Sequence, residues 1–137
     1  MKNAKSILLL EDDHIDVQNI QRVFRKLAFT NDLFVCEDGE EGLKWLNKNS
    51  KNLPGLIILD LNMPRMNGIE FLQKIKKDAR FVQVPVMVLT TSAEPNDLKK
   101  CYEMSVSGYM QKPPDFQDFV DMFQSIKNYW DNNILSY

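Results

Sequence analysis

Residues 56–75, LIILDLNMPRMNGIEFLQKI, hold the pattern on which the fold prediction depends. The apolar run at 56–59 is too short for a helix and indicates a buried strand, which ends at Asp60. A polar loop follows, and the next apolar side chains recur at helical spacing, at Ile69, Leu72 and Ile75. Because Asn67-Gly68 directly precedes this spacing, a helix is predicted to begin there. The stretch is therefore a strand that leads through an acidic residue and a loop into a helix.

The same unit recurs along the whole chain. Strands are predicted at 6–10, 33–36, 56–59, 86–89 and 108–110. Apolar residues at helical spacing lie between the strands. The first predicted helix has one apolar face, formed by Val17, Ile20, Phe24 and Leu27. Further helices are predicted to begin after Asp38-Gly39, at Asn67-Gly68 and after Pro95, and the last runs from Asp115 to Trp130. Alternating strands and helices, with strands apolar on both faces, predict an α/β fold with a doubly wound, five-stranded parallel sheet covered by helices on both sides.

Length and composition restrict the protein class. The chain has 137 residues, so one domain over 1–137 is expected, with 131–137 as a short carboxyl-terminal tail. Seventeen basic and nineteen acidic residues leave a net charge of −2, which indicates neither nucleic acid nor an anionic membrane as a partner. We see no membrane span and no signal peptide, and we expect a cytoplasmic protein. Cys36 and Cys101 are expected to be packing residues without a disulfide.

Polar residues stand where the predicted strands end. Strand one is followed by Glu11, Asp12 and Asp13, and strand three by Asp60. The carboxyl ends of parallel strands share one edge of the sheet, so Glu11, Asp12 and Asp60 should meet there. Carboxylates this close repel one another by about 4 kcal/mol per pair at 4 Å, and binding a cation relieves that repulsion. An all-oxygen site of this kind predicts Mg²⁺ or Mn²⁺.

A hydroxyl and an amine complete the same edge. Thr90 closes the fourth strand and Lys112 follows the fifth. A metal, a carboxylate, a lysine and a hydroxyl are the groups used in phosphoryl transfer, with Asp60 as the nucleophile and Lys112 and Thr90 binding the charged oxygens. Taken alone, each residue also has an ordinary structural explanation, such as Asp13 capping the first helix and His14 lying at its surface.

Five segments in this order resemble the receiver domains of bacterial response regulators: residues 7–13, 59–64, Asn67-Gly68, 85–91 and 108–113. The resemblance spans nearly the whole chain and implies a flavodoxin-like fold with strand order 2-1-3-4-5. It implies that Glu11 and Asp12 hold the metal with Asp60 and the backbone carbonyl of Asn62. It further implies that Thr90 and Tyr109 are the switch residues, that Lys112 acts at the site, and that the bond to Pro113 is cis. Pro114 departs from the bulky apolar residue that is usual there.

The resemblance also implies a function. A sensor histidine kinase would donate the phosphoryl group to Asp60, and the domain would act as a signalling switch rather than as an enzyme. Because the chain ends soon after the fifth helix, we expect a stand-alone regulator without an output domain. Residues 88–92 and the aromatic carboxyl end resemble single-domain regulators that are paired with phytochrome-like or other sensor kinases. The downstream protein target is unknown.

Three alternatives remain at this point. A degenerate receiver would only bind protein. A Mg²⁺-dependent aspartyl-phosphate phosphatase would need a second acid two residues after the nucleophile, where Asn62 stands. A flavin-binding protein would need a phosphate-cradling loop after strand one, where acids stand instead.

The carboxyl end suggests an interaction surface. The fifth helix and its extension carry more apolar residues than one buried stripe requires: Phe116, Phe119, Phe123, Tyr129, Trp130, Ile134, Leu135 and Tyr137. They predict a homodimer through helix four, strand five, helix five and the tail. The alternative is a tail that folds back onto its own domain.

Overall fold

The computed structural model describes residues 5–132 and 137, and it confirms the alternation of strands and helices. The strands are β1 (Ile7–Leu10), β2 (Leu33–Cys36), β3 (Leu56–Leu59), β4 (Val86–Thr90) and β5 (Gly108–Gln111). The helices are α1 (His14–Lys26), α2 (Gly39–Lys48), α3 (Gly68–Lys76), α4 (Pro95–Glu103) and α5 (Phe116–Asp131). All strands are parallel, in the order β2-β1-β3-β4-β5.

The two faces of the sheet carry separate apolar cores. Along β1, Leu8 and Leu10 face the core formed with α2, α3 and α4, whereas Ile7 and Leu9 face the core formed with α1 and α5. Successive side chains of a strand point to opposite faces, so a strand that is buried on both faces is apolar throughout. The structure thus has the doubly wound arrangement that the sequence predicts.

The two edge strands are less deeply buried than the three central strands. Phe34 and Val35 of β2 are 41% and 37% exposed, and β5 is only partly buried, with Gln111 exposed. An edge strand has only one neighbour in the sheet, so its outer side is more accessible to solvent. Both free cysteines are buried, as predicted.

Local capping explains where the helices begin. The side chains of Asp13, Asp38, Asn67 and Asp115 accept hydrogen bonds from the first-turn N–H groups of α1, α2, α3 and α5. The sequence pattern for α4 was weaker, and this helix has no side-chain cap but begins at Pro95, which fits the first turn. Among the described residues, no helix combines the length and the apolar character that crossing a bilayer would require.

Most of the carboxyl-terminal aromatic side chains are buried inside the domain, which corrects the prediction of a large exposed patch. Phe119, Phe123 and Trp130 are buried, and only Tyr129 stands out from α5, at 65% exposure. Tyr137 is partly buried, and its hydroxyl donates to the Pro54 carbonyl at 3.0 Å. Ile134 and Leu135 lie outside the described residues. At Tyr137 the chain therefore contacts its own domain.

Trp130 closes one end of its core against Gly55, which yields a stability prediction. A Cβ atom at Gly55 would lie 2.2 Å from the Trp130 ring, so Gly55→Ala should overpack this contact and lower the free energy of unfolding by about 1–3 kcal/mol. Gly108→Ala is the matched control, because the nearest atom to its Cβ would be 3.8 Å away. Urea denaturation of both variants measures the difference, and equal stability losses would contradict this packing.

Candidate functional site

The predicted site residues lie at the carboxyl edge of the sheet because their backbones extend the strand ladders. The N–H of Glu11 donates to the Cys36 carbonyl at 2.9 Å, and that of Asp60 donates to the Leu10 carbonyl at 3.0 Å. The N–H of Lys112 donates to the Thr90 carbonyl at 2.8 Å. The backbones of Glu11, Asp60 and Lys112 are therefore fixed by sheet hydrogen bonds.

Three carboxylates meet at this edge, as predicted. Oxygen atoms of Glu11, Asp12 and Asp60 lie within 4.8 Å of one another. Glu11 and Asp60 are 2% and 4% exposed, whereas Asp12 is accessible to solvent. An open cluster of oxygen ligands with one accessible side fits a hard divalent cation, whose charge would relieve the repulsion between the carboxylates.

The Lys112 ammonium lies among the carboxylates. Its Nζ atom is 2.6 Å from Glu11 Oε1, 2.7 Å from Asp16 Oδ2 and 3.5 Å from Asp60 Oδ2, and the side chain is only 8% exposed. An ammonium has three N–H donors, and three carboxylates surround this one. Lys112 therefore reaches the predicted nucleophile, but its two shorter contacts are with other residues.

Burial and charge shift the pKa values of this group. Burial raises the pKa of Glu11 to about 8; the Asp60 charge adds to this effect, and the hydrogen bond from Lys112 opposes it. Burial alone would lower the pKa of Lys112, but its contacts with Asp16 and Glu11 outweigh burial and raise it. Burial and the Asp60 charge therefore favour the protonated form of Glu11, whereas the two carboxylate contacts favour the charged form of Lys112.

The loop after β3 is held close to Asp60 by a glycine. A Cβ atom at Gly68 would lie 2.5 Å from the Asp60 carbonyl oxygen and 2.7 Å from the Leu61 Cα atom, so only glycine fits here. The N–H of Gly68 donates to the Leu61 carbonyl at 3.1 Å, and the N–H of Asn62 faces Asp60 Oδ1 at 3.4 Å. The first turn of α3 thereby fixes the loop that follows Asp60.

The two predicted switch residues are linked through a third, Ser92. Thr90 is fully buried, and its Oγ1 accepts a hydrogen bond from the Ser92 N–H at 3.2 Å. The Tyr109 hydroxyl donates to the Ser92 carbonyl at 2.9 Å. The Ser92 hydroxyl in turn donates to Asp97 of α4 at 3.1 Å. Thr90 and Tyr109 therefore share the loop that leads into α4.

The structure separates the predicted site residues from their neighbours in sequence. Asp13 is exposed and caps α1, and His14 is the exposed first residue of that helix, as expected for both.

The cis bond implied for Lys112–Pro113 is not found, since all peptide bonds of the described residues are trans. Trans is also the intrinsically preferred form of such a bond, by about 0.5–1 kcal/mol.

One residue of the site, Asp16, and the linking role of Ser92 were not predicted from the sequence. Asp16 binds Lys112, and Ser92 connects the switch residues through its backbone. For Asp16 a signal existed, because it is three residues after the helix cap and thus returns to the strand end after one turn. Ser92 acts mainly through N–H and carbonyl groups, which its residue type does not reveal.

Comparisons with known proteins agree with the geometry. A family model described as the response regulator receiver domain matches residues 7–124. The response regulator Rcp1 of Synechocystis is 34% identical over 130 residues, which cover 92% of this chain and 88% of the relative. The probable methanogenesis regulatory protein FilR2 of Methanothrix harundinacea is 37% identical over 127 residues, which cover 90% and 82%.

Solved structures show the same architecture. The Mn²⁺-bound form of Rcp1 has a TM-score of 0.86 at 33% identity, and the phosphorylated cyanobacterial phytochrome response regulator RcpA has 0.90 at 29%. Both alignments cover 97% of this chain and 99% of the other. Together with the family match over most of its length, they show that this chain belongs to the response regulator receiver domain family, as a homologue of two-component regulators such as Rcp1 and RcpA.

Proposed function

We propose that this chain is a phosphorylation-controlled switch that accepts a phosphoryl group on Asp60 from a sensor histidine kinase. The observation that carries the proposal is the buried Asp60 carboxylate, which lies within 4.8 Å of two further carboxylates and 3.5 Å from a buried ammonium. A carboxylate at the end of a strand, with a cation on one side and a metal-binding pair on the other, is suited to attack phosphorus.

In the proposed reaction, a carboxylate oxygen of Asp60 attacks the phosphorus of a phosphohistidine. The O–P bond forms as the N–P bond breaks, and the electron pair of that bond stays on the histidine nitrogen, which then takes a proton from water. Negative charge spreads over the equatorial oxygens in the transition state. The Lys112 ammonium would bind one of these oxygens, and the Thr90 hydroxyl, after rotation, would donate to another.

The metal site belongs to the same proposal. Glu11, Asp12 and Asp60, with the backbone carbonyl of Asn62, would hold Mg²⁺ or Mn²⁺, and a structure of the homologue Rcp1 contains Mn²⁺. When bound, the cation would supply positive charge to the phosphoryl oxygens. Glu11 and Asp12 form no covalent bond in the proposed reaction. The domain would be a stoichiometric acceptor and not a turnover enzyme.

The output would arise from the loop after β4. If Thr90 rotates to donate to a phosphoryl oxygen, its Oγ1 no longer accepts from the Ser92 N–H, and the loop that holds Tyr109 is released. This changes the surface formed by α4, β5 and α5, which we call the output surface. Its exposed apolar residues are Leu98, Tyr102 and Tyr129. We infer that this surface binds a downstream protein or a second copy of the chain.

The remaining assignments follow from this role. We propose that residues 1–137 act as one receiver domain, with 131–137 as a tail that joins the body at Tyr137. As a target of a sensor kinase, the protein would work in the cytoplasm. The phytochrome-like class of kinase is suggested by the relatives Rcp1 and RcpA, of which the latter is described as a phytochrome response regulator.

The first prediction concerns the acceptor. Incubation with acetyl phosphate and Mg²⁺ should add the mass of one phosphoryl group to the wild type, as measured by intact-protein mass spectrometry. Asp60→Asn and chelator should each abolish the gain, because they remove the nucleophile and the bridging charge. Asp13→Asn should keep it, since Asp13 only caps α1. A mass gain that persists in Asp60→Asn would refute the assignment.

A second prediction concerns metal affinity and pH. Because the pKa of Glu11 is raised to about 8, Mg²⁺ must displace its proton below that pH. The affinity should fall about tenfold per pH unit below 8 and level off above it. Titrations followed by intrinsic fluorescence at pH 6 to 9 measure this slope.

Controls for the metal prediction come from neighbouring acids. Glu11→Gln should bind more weakly and lose the pH dependence, because it removes the group that titrates. Asp12→Ala should weaken binding far more than Asp13→Ala, whose side chain lies outside the cluster. Equal effects of the last two substitutions would mean that the ligand assignment is wrong.

A third prediction tests self-association. Beryllofluoride, a phosphoryl mimic, should increase the molar mass of the wild type in light scattering towards that of a dimer. Tyr102→Ser with Tyr129→Ser should prevent this, because both side chains are exposed on the output surface. Val35→Ser removes an apolar side chain that is 37% exposed on β2, at the opposite edge of the sheet from β5, and should have no effect. If the wild type stays monomeric with beryllofluoride, the surface serves other proteins only.

A further inference from the structure

Asp16 is an acidic residue at the site for which neither the metal nor the transfer reaction provides a role. Its Oδ2 atom lies 2.7 Å from Lys112 Nζ, whereas the corresponding distance to Asp60 is 3.5 Å. The Asp16 side chain is 21% exposed and the lysine side chain 8% exposed, so the pair is shielded from most of the solvent. A charge-assisted hydrogen bond of this length is a strong contact.

The beginning of α1 directs Asp16 toward the lysine. Asp16 is three residues after the cap residue Asp13, where an acidic side chain commonly reaches back to the N–H of the cap. Here that N–H faces Glu11 Oε2 at 3.2 Å instead. The Asp16 carboxylate is thus turned to Lys112, while its own N–H is bound by Asp13 Oδ1 at 3.2 Å.

We propose that Asp16 is a positioning residue that holds Lys112 in the unphosphorylated protein and competes for it with the phosphoryl group. This inference rests on the proposed function of Asp60. It assigns to Asp16 the control of how tightly the phosphoryl group is held, and therefore of how much of the protein is in the phosphorylated state at a given supply of donor.

The competition follows from the number of donors. Lys112 has three N–H groups, and Glu11, Asp16 and Asp60 take up all three directions. A bound cation would draw Glu11 away from the lysine, and the phosphoryl group would form on Asp60. Asp16 is the one partner that neither event removes. A phosphoryl oxygen must therefore compete with the Asp16 carboxylate for the Lys112 ammonium. The same carboxylate also repels the negative charge of the phosphoryl group.

Neutralising Asp16 without changing its shape should strengthen phosphoryl binding. In Asp16→Asn the amide still accepts a hydrogen bond but has no charge, so Lys112 is freer to turn to the phosphoryl oxygen. Beryllofluoride affinity in saturating Mg²⁺, measured by calorimetry, should rise about tenfold, which corresponds to about 1.4 kcal/mol.

The matched control is Asp13→Asn. It removes the same charge from the same helix turn and keeps a good capping residue, but Asp13 does not contact Lys112. Its beryllofluoride affinity should stay within about twofold of the wild type. Equal gains in the two variants would show a general charge effect and overturn the inference, as would an affinity in Asp16→Asn that is unchanged or lower.

Two further measurements separate positioning from a merely structural effect. The ammonium signal of Lys112 in nitrogen-15 NMR spectra should shift in Asp16→Asn and return in Asp16→Glu, which restores the charge. In a Lys112→Met background, Asp16→Asn should no longer increase beryllofluoride affinity, because the competed group is gone. A gain that persists there would refute the competition, and thermal denaturation verifies that each variant is folded.

Failure of the inference and of the proposed function can be told apart. If the wild type and Asp60→Asn bind beryllofluoride equally, the acceptor assignment fails, and the competition fails with it. If only Asp60→Asn loses binding but Asp16→Asn behaves like Asp13→Asn, the acceptor assignment stands and the role of Asp16 is wrong.

Discussion

One buried ammonium balances a group of carboxylates, and the arrangement of the carboxyl edge of the sheet depends on it. Two unit charges 4 Å apart interact by roughly 4 kcal/mol at an effective dielectric of 20, so Glu11 and Asp60 could not stay buried together without compensation. Their ion pairs are both made with Lys112. The compensation is incomplete, which the raised pKa of Glu11 reflects. An acidic site with this residual charge is suited to binding a further cation, as the proposed function requires.

The sheet makes this balance possible because it supplies each charge from a different strand. Glu11, Asp60 and Lys112 follow β1, β3 and β5, and their backbone N–H groups continue the ladders. No charge depends on a long flexible loop for its position, so the lysine and the acids keep their distances without large entropic cost. Gly68 adds a steric constraint, because any larger residue would push α3 away from the end of β3. Asp60 is thus constrained both by its ion pair with Lys112 and by the close packing of α3 against its backbone.

Much of the fold was predictable because its signals are local. The short apolar runs located all five strands, and the Asp and Asn caps marked four helix starts to within a residue. The exposure of β2 and β5 was not predictable from composition, since strand order decides which strands lie at the edges. At the carboxyl end, burial of Trp130 against Gly55 depends on contacts between residues 75 positions apart, which periodicity does not report.

In the site, too, the residues with a local sequence signal were predicted, whereas roles that depend on contacts distant in sequence were not. Residue type and strand ends together predicted Glu11, Asp12, Asp60, Thr90 and Lys112, because acids, hydroxyls and lysines at such positions have few structural uses that require all of them together. The contact of Asp16 with Lys112 was not predicted, because acidic residues are common at helix starts. Only the short distance to Lys112 distinguishes Asp16 from other such residues. The linking role of Ser92 was not predicted, because it is carried mainly by backbone groups, which any residue could provide.

The position of β5 explains how a charge at the site can alter a distant surface. This strand carries Tyr109 within it and is followed by Lys112, so one short element touches both the nucleophile and the loop that leads into α4. It is an edge strand with a single neighbour, β4, and is only partly buried, so fewer contacts oppose its movement than oppose that of the central strands. A new bond to Lys112 and a rotation of Thr90 would both act at the carboxyl end of the β4–β5 pair. A change of a few kcal/mol in these local hydrogen bonds is enough to reverse a two-state equilibrium, because about 5.5 kcal/mol converts a ratio of 1:99 into 99:1.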